Sequence, residues 1–598
     1  MSGITPRGSI ESLRKEAKRW LKALRADVAD ARARLANVLH DAPAVPTLRD
    51  VQHALALEHG FQGWTALRDA IAGRAPATRD VDWVARFFDV ACPDHHVRGG
   101  PDHTRAQHTA MRILEHFPHV ATDSFHTAIV TGNLADVERV LAAHPRAARE
   151  KSGVASADRS GSGGEGDWFH DIGPKGWEPL LYLAFTRLPL AAANDNAVAI
   201  ARLLLDHGAD PNAFFMAGGS SYTPLVGVIG EGEEDRPPHP RRDELARLFL
   251  ERGAEPYDMQ VIYNLGFHGK VLWFLQLIHE FSAKAGRKAD WDDPNWSMLD
   301  MGPYGSGAHW HLNIAVVNND LELAEWILAH GGSPNAAGPT DKRFSQRPPF
   351  LESAQRHGLT RMAKLLLRHG ATPTGFEPKG IEAFVAAAMR RDRDAVEALL
   401  AQNPEYRNAH DALFVAAKRD RVEVVEFLLE LGVSPDVQNE TKERALHIAA
   451  YNNALRVARL LIEKGAAIDP VEASYGNTPL GAATYAQHPE MIDLLAARSA
   501  DIWELTINGK VDRLRELLAR KPERAKTAWD GDTLLMWLPD DDGGAMEITK
   551  LLLSLGADAS ARNREGQTAA DRAERRGMLE IAELLRSQEN ATPRTGRG

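Results

Sequence analysis

The sequence predicts an all-α solenoid in which short helix-turn-helix units stack along the chain behind an N-terminal helical cap. The first observation is a phrase of an amphipathic Leu-rich helix, then Gly, then a small residue, then Pro, Asp or Asn. Seven copies end at Asn212, Pro256, Asn335, Pro373, Asp436, Asp469 and Ser560. The second observation is spacing: from Gly331 onward, equivalent residues are separated by 39, 33, 29, 33, 34, 22 and 35 positions. Steps clustered near 33 indicate a repeat architecture.

The residues of one unit explain why it would fold this way. Thr478 is suited to cap a helix start, and Pro479 suits the first turn because its missing N–H has no partner there. In the second helix Val457, Leu460 and Leu461 form one apolar stripe, which a lone helix pair cannot bury. Gly465 follows the helix end, where a left-handed backbone conformation is least costly for glycine. Stacking on a neighbouring unit is therefore predicted to be the main stabilising contribution.

The best copy of the start of a unit is Ala-Leu-His-Ile-Ala-Ala at 445–450, and Thr-Pro-Leu recurs at 223–225 and 478–480. With these motifs the chain resembles the ankyrin-repeat family, whose box is T-P-L-H-x-A. The resemblance implies about ten repeats between roughly Thr122 and Ser587, with short β-hairpin fingers. It also implies a protein–protein interaction scaffold that binds partners on its concave surface, without catalysis and without a cofactor.

Four segments are predicted along the chain. They are an N-terminal helical domain over 1–75, a connector or degenerate first repeat over 76–120, the repeat array over 121–588 and a disordered tail over 589–598. The array carries insertions near 150–176, 231–243 and 284–308, and the second of these is expected to be an exposed loop. The helical domain, with a third helix after Phe61 and Trp64, is similar to the segment that often precedes repeats in bacterial ankyrin proteins.

Composition favours a soluble cytoplasmic protein. The formal net charge is −11, Cys92 is the single cysteine, and no apolar run reaches the length of a membrane span. The N-terminus lacks the apolar core of a signal peptide. Residues 1–40 are basic, with nine Lys and Arg against four Asp and Glu. Nucleic-acid association through this first helix is a second alternative, but a solvated helix face is the favoured interpretation, so nucleic acid is not an expected partner.

A tract rich in Cys and His is the strongest candidate for metal chemistry. Cys92, His95, His96, His103 and His108 fall within seventeen positions. The C-x2-H half resembles part of a zinc site, but Gly99, Gly100 and Pro101 separate it from an H-x4-H half that fits no zinc-finger spacing. Surface or packed histidines are favoured, and no metal is predicted.

Tryptophan is concentrated in the third insertion and its flanks, and this patch is the predicted partner-binding site. Its members are Trp273, Trp291, Trp296, Tyr304 and Trp310. Large aromatic side chains with a polar group dominate binding hot spots. The alternative, which carries more weight, is that an inserted segment needs a small core of its own and that the tryptophans supply it.

No standard catalytic motif is present, so catalytic residues are predicted to be absent. A G-x-G-x-x-G string at 161–166 lies in a Gly/Ser tract without the strand and helix that dinucleotide binding needs. Neither a Walker loop, a nucleophile elbow nor an H-E-x-x-H pair occurs. The remaining alternative is an enzyme or metal-binding activity in the N-terminal region or the Trp-rich insertion, with the repeats as its substrate adaptor.

Overall fold

The computed structural model describes residues 10–26, 28–38, 46–58, 83–92, 100–152, 176–217, 220–232, 236–267, 271–343, 347–529 and 531–591. They belong to two compact units, one within 1–87 and 112–120 and the other within 88–111 and 121–598. The predicted third N-terminal helix, the Gly/Ser tract at 153–175 and residues 592–598 lie outside the described residues. The last described helix, Leu579–Ala591, extends three residues into the predicted tail.

The first unit begins with three helices around a small apolar core. They are Ile10–Arg25, Ala29–Ala36 and Leu48–Glu58. Five apolar residues of the first helix are buried in this core: Leu13, Ala17, Trp20, Leu21 and Leu24. The Trp20 indole N–H donates to the Ala31 carbonyl at 3.0 Å. The Arg34 guanidinium lies 3.9 Å above the Trp20 ring and pairs with Glu16 and Glu58. Two helices that follow, Trp83–Ala91 and Gly100–His116, are divided between the units.

The second unit consists of consecutive helix pairs, and its described part contains thirteen of them. We call the first helix of a pair inner, the second outer, and the segment that leads to the next pair a finger. The pairs are Phe125–Thr131 with Leu134–Ala143, Pro179–Phe185 with Ala197–Asp206, Pro224–Ile229 with Arg242–Glu251, Met259–Gly266 with Leu272–Lys284, Gly307–Asn318 with Leu321–Ala329, Phe350–Arg356 with Thr360–Arg368, Ile381–Arg390 with Arg393–Gln402, Asp411–Lys418 with Val422–Glu430, Ala445–Tyr451 with Leu455–Glu463, Pro479–Tyr485 with Pro489–Ala496, Ile502–Ile507 with Val511–Arg520, the 3-10 turn Leu534–Met536 with Asp542–Ser554, and Ala569–Arg575 with Leu579–Ala591.

Shorter elements lie in the fingers and connections. They are the helix Ala191–Asp195, the 3-10 turns Pro118–Thr122, Pro145–Arg149, Lys288–Asp292, Ser297–Leu299, Gly302–Tyr304, Pro404–Asn408 and Pro522–Lys526, and two antiparallel hairpins, Phe215–Ala217 with Ser220–Tyr222 and Ala528–Trp529 with Asp532–Thr533. No helix in the described ranges is long and apolar enough to cross a membrane.

The predicted construction of a unit is present in detail around 445–496. The Thr478 hydroxyl accepts a hydrogen bond from the Gly481 N–H at 3.1 Å, and Pro479 occupies the first turn. Leu461 is fully buried, and Gly465 adopts a φ of 86° just past its helix. The inner helix is tied to its finger by His447, which accepts from the Arg444 N–H at 3.1 Å and donates to the Pro470 carbonyl at 3.1 Å.

Each pair packs on the pairs beside it, as the solenoid prediction requires. Inner helices contact the next inner helices, and outer helices contact the next outer helices, over most of the array. From Phe384 to Leu585 the buried side chains form one continuous apolar cluster. The core is thus a strip between successive pairs, so each pair depends on its neighbours for burial.

The insertion at 231–243 differs from the expected exposed loop. Glu231, Arg236 and His239 are buried, and a backbone bridge joins Glu231 to Arg236. The buried guanidinium of Arg187 donates to the carbonyls of Pro237, at 2.7 Å, and of Gly227. These hydrogen bonds hold the segment against the preceding pairs. The polar composition of the segment did not predict this packing.

Candidate interaction surface

Large apolar side chains are exposed on one side of the helix pairs. In the described residues of the second unit, such side chains lie on fingers (Phe214, Met216, Val471, Tyr475 and Trp529) and at the C-terminal ends of inner helices (Phe267, Val317, Tyr451 and Tyr485). Among these described residues, Leu367 alone lies on an outer helix. We call the fingers and inner-helix ends the inner surface. Exposed apolar side chains concentrated on such elements mark a surface suited to binding.

Two tyrosines form the clearest part of this surface. Tyr451 and Tyr485 are the last residues of successive seven-residue inner helices, so they occupy the same position in neighbouring units. Their rings are nearly parallel, at an interplanar angle of 18° and a centroid distance of 6.3 Å. Each is more than half exposed, and Tyr475, on the finger between them, is 87% exposed. Aromatic rings held on rigid helices are well suited to contact a partner.

Two of the predicted partner-binding tryptophans lie in the interior. Trp291 and Trp296 are 2% and 0% exposed, and their rings meet edge to face at 4.9 Å. The Trp296 indole N–H donates to the His330 carbonyl at 3.1 Å. The Trp326 ring packs against Trp291 with a centroid distance of 5.8 Å. For these two residues the geometry favours the local-core interpretation, since the insertion packs between two helix pairs.

The other three predicted residues are only partly buried. Trp273 lies beneath the Arg242 guanidinium, which is 4.1 Å from the ring centroid. Trp310 lies against Tyr304 at 5.8 Å. A Cβ at Gly266 would fall 2.8 Å from the Trp310 ring, so the close approach of that ring depends on this glycine. Partner binding by these side chains stays a prediction.

A group of basic side chains lies at the inner-helix ends between Val317 and Tyr451. The Arg419 guanidinium donates from Nη2 to the Val317 carbonyl at 3.1 Å, while its buried Nη1 has no acceptor among the described residues. Lys418 is adjacent and exposed, and His357 lies near both. We call His357, Lys418 and Arg419 the cationic cluster.

The pKa values report the crowding of these charges. Partial burial, with a contribution from Arg421, lowers the pKa of Arg419 to about 10. Burial and then Arg419 lower the pKa of Lys418, and the same two causes, in that order, lower the pKa of His357. Desolvation and like charges both disfavour the charged forms. Perturbed groups of this kind often mark functional sites.

Sequence reasoning missed both the tyrosines and the cationic cluster. Aligning the repeats on the Thr-Pro-Leu box would have identified Tyr451 and Tyr485, because both follow the small buried residues of the inner helix by one position. The same alignment places Lys418 at the end of an inner helix, but no sequence signal shows that Arg419 reaches the Val317 carbonyl three repeats away.

The Cys and His tract is described only in part. Cys92 is fully buried, burial raises the pKa of its thiol, and its Sγ lies 3.6 Å from the Tyr182 carbonyl. His95, His96 and the side chain of His103 lie outside the described residues. In the part of the chain that is described, no group of three or more potential ligands could hold a metal ion.

Comparison with known families gives an independent view of the helix pairs. The family description "Ankyrin repeats (3 copies)" matches residues 350–439 and 413–506, and "Ankyrin repeat" matches 185–214. These parts of the chain are ankyrin repeats. The matched ranges coincide with helix pairs that carry the Leu-rich phrase, and ankyrin repeats indicate a role in protein–protein interaction.

Individual relatives share only parts of their length with this chain. The human transient receptor potential cation channel subfamily A member 1 is 26% identical over 186 residues, covering 29% of this chain and 16% of that protein. An ankyrin repeat protein of fowlpox virus is 31% identical over 100 residues, covering 17% and 24%. The chain therefore spans less than a quarter of either relative.

Solved structures also match, among them that of the predatory endopeptidase Bd0816 of Bdellovibrio bacteriovorus in complex with immunity protein Bd3460. Its matched chain is 26% identical and is covered in full by 35% of this chain. The TM-score is 0.23, so the likeness gives no information about the arrangement of the whole chain.

Proposed function

We propose that the protein is a non-catalytic interaction scaffold that binds a protein partner on its inner surface. The observation that carries the proposal is the confinement of exposed apolar side chains to fingers and inner-helix ends. Apolar area that stays exposed in the folded chain costs free energy, about 25 cal/mol per Å², which a partner recovers by covering it. Outer helices, with Leu367 as the exception among described residues, present polar side chains instead.

The proposal extends to location and chemistry. We place the protein in a reducing compartment, the cytoplasm, because its single cysteine cannot form an internal disulfide. Binding rests on the rigid stack of helix pairs, so the partner meets side chains whose positions are fixed before it arrives, which reduces the entropy lost on association.

The test uses the full chain and a matched control. Photo-crosslinking and affinity capture with wild type identify bound proteins, and the same capture is repeated with the double variant Tyr451→Ser/Tyr485→Ser. Leu367→Ser removes an apolar side chain of similar exposure from an outer helix. We expect a partner that wild type and Leu367→Ser retain and that the tyrosine variant loses. A partner retained by the tyrosine variant, or lost from Leu367→Ser, would contradict the assignment to the inner surface.

A further inference from the structure

The residues at the C-terminal ends of successive inner helices change from apolar to basic to aromatic along the array. Val317 is apolar, the next three repeats contribute Arg356 and His357, Arg390, and then Lys418 and Arg419, and the two repeats after these end in Tyr451 and Tyr485. Cations are thus flanked on both sides by exposed apolar or aromatic side chains.

The carboxylates nearest to these cations are already engaged. Glu352 and Glu382 both pair with Arg356. Asp420 pairs with Arg456 at 2.7 Å and accepts a hydrogen bond from the Val457 N–H. Among the described residues, neither Lys418 nor Arg419 has a carboxylate partner, so no carboxylate neutralises these two charges.

A helix C-terminus alone does not explain the arrangement. Carbonyls at the end of Gly307–Asn318 attract cations, and the Nη2 contact of Arg419 with Val317 is accounted for in this way. This attraction does not account for the buried Nη1, which has no hydrogen-bond acceptor among the described residues. The charge that a partner can reach is that of the exposed Lys418, and charge-assisted hydrogen bonds to a carboxylate are among the strongest that a cation forms.

We infer that the cationic cluster binds a carboxylate of an acidic polypeptide segment, whose apolar side chains contact Val317 and Tyr451. The inference rests on the proposed function and names the chemistry of its partner. A polypeptide is favoured over a nucleic acid because the cluster is small and is bordered by the exposed apolar side chains of Val317 and Tyr451.

The test measures fluorescence anisotropy of labelled probes with the full chain. The probe is a peptide of repeated Glu-Glu-Phe, compared with a Gln-Gln-Phe peptide and with a mixed-sequence single-stranded DNA. Lys418→Glu reverses the exposed charge of the cluster, and Lys464→Glu makes the same change at an exposed lysine that ends an outer helix. Circular dichroism verifies that both variants are folded.

We expect wild type to bind the acidic peptide in preference to the other two probes, with an affinity that falls about tenfold or more in Lys418→Glu and is unchanged in Lys464→Glu. Equal binding by Lys418→Glu and wild type, or no preference for the acidic peptide, would overturn the inference. Tighter binding of the DNA, lost in Lys418→Glu, would assign the cluster to nucleic acid and overturn it as well. None of these results alters the capture experiment with the tyrosine variant, so the inference and the proposed function fail separately.

Discussion

Replacing Trp296 by Ala tests whether the Trp-rich insertion is a core. Trp296 is fully buried, contacts Trp291 and Trp326, and donates to the His330 carbonyl. Truncation of a buried Trp to Ala costs about 3–5 kcal/mol, and the carbonyl left without its donor adds about 1 kcal/mol. We therefore expect Trp296→Ala to lower the local stability by at least about 3 kcal/mol.

The expected loss is local, because each pair contacts only a few neighbours and the array does not unfold as a single two-state unit. Hydrogen exchange followed by mass spectrometry separates the regions. Amides in Leu272–Lys284 and Gly307–Asn318 should exchange about a hundredfold faster, the factor that corresponds to about 3 kcal/mol, while amides in Pro479–Tyr485 keep their rates.

Trp529→Ala is the matched control, because this indole is 71% exposed on a finger. Its effect on stability should stay within about 0.5 kcal/mol. If Trp296→Ala changed local exchange by less than about fivefold, or if it abolished partner capture while exchange stayed normal, the local-core interpretation would be refuted and Trp296 would be a binding residue.

Three further changes test the packing of individual repeats. Leu461→Asp places a charge in a fully buried site and should unfold the surrounding helix pairs. Limited proteolysis should then cleave residues 445–496 rapidly, whereas a protease-resistant variant would argue against stacking. Thr478→Ala removes the cap of an inner helix and a 2.9 Å hydrogen bond to Asp501, so the local stability measured by hydrogen exchange in Pro479–Tyr485 should fall by about 1 kcal/mol, and no change would mean that the cap is dispensable. Burial lowers the pKa of His311 to about 4, so the unfolded chain takes up this proton first and stability is lost as the pH falls below about 6.5. Between pH 7 and pH 5 His311 should account for about 2 kcal/mol of that loss, and His311→Gln should flatten the pH dependence; equal slopes in wild type and variant would contradict a buried neutral imidazole.

The repeat fold could be predicted because its signals are local. A Leu stripe and a Gly after the helix occur within single units, and the units recur about every 33 residues. These signals all predict the same repeat fold. The count of about ten units was lower than the thirteen pairs observed, since pairs such as Met259–Gly266 with Leu272–Lys284 lack the Gly and Pro of the phrase. Such pairs are stabilised by packing on their neighbours and by aromatic contacts, which leave no local motif in the sequence.

The interaction surface was less accessible to sequence reasoning because composition does not reveal orientation. A concentration of tryptophan is equally compatible with a core and with a binding patch, and only the structure shows that Trp291 and Trp296 point inward. The exposed aromatics are spread singly over several repeats, so no short window of sequence contains them. Tyr451 and Tyr485 become a pair only when equivalent positions of stacked repeats are compared.

The contact between Arg419 and Val317 departs from strict neighbour-to-neighbour packing and has a physical reason. Packed helices lie about 8–10 Å apart, so three steps along the array exceed the span of one side chain unless the helix ends converge. A close approach between adjacent repeats lies at Gly358: its φ is 61°, and a Cβ there would lie 2.5 Å from the Ala386 carbonyl oxygen of the next repeat. His357 lies near Lys418 and Arg419, and desolvation and repulsion lower the pKa values of His357 and Lys418. Replacing one of these basic residues by a neutral residue would remove part of this electrostatic cost from the free protein. A cluster that keeps the cost is the arrangement expected if an acidic partner supplies the missing negative charge.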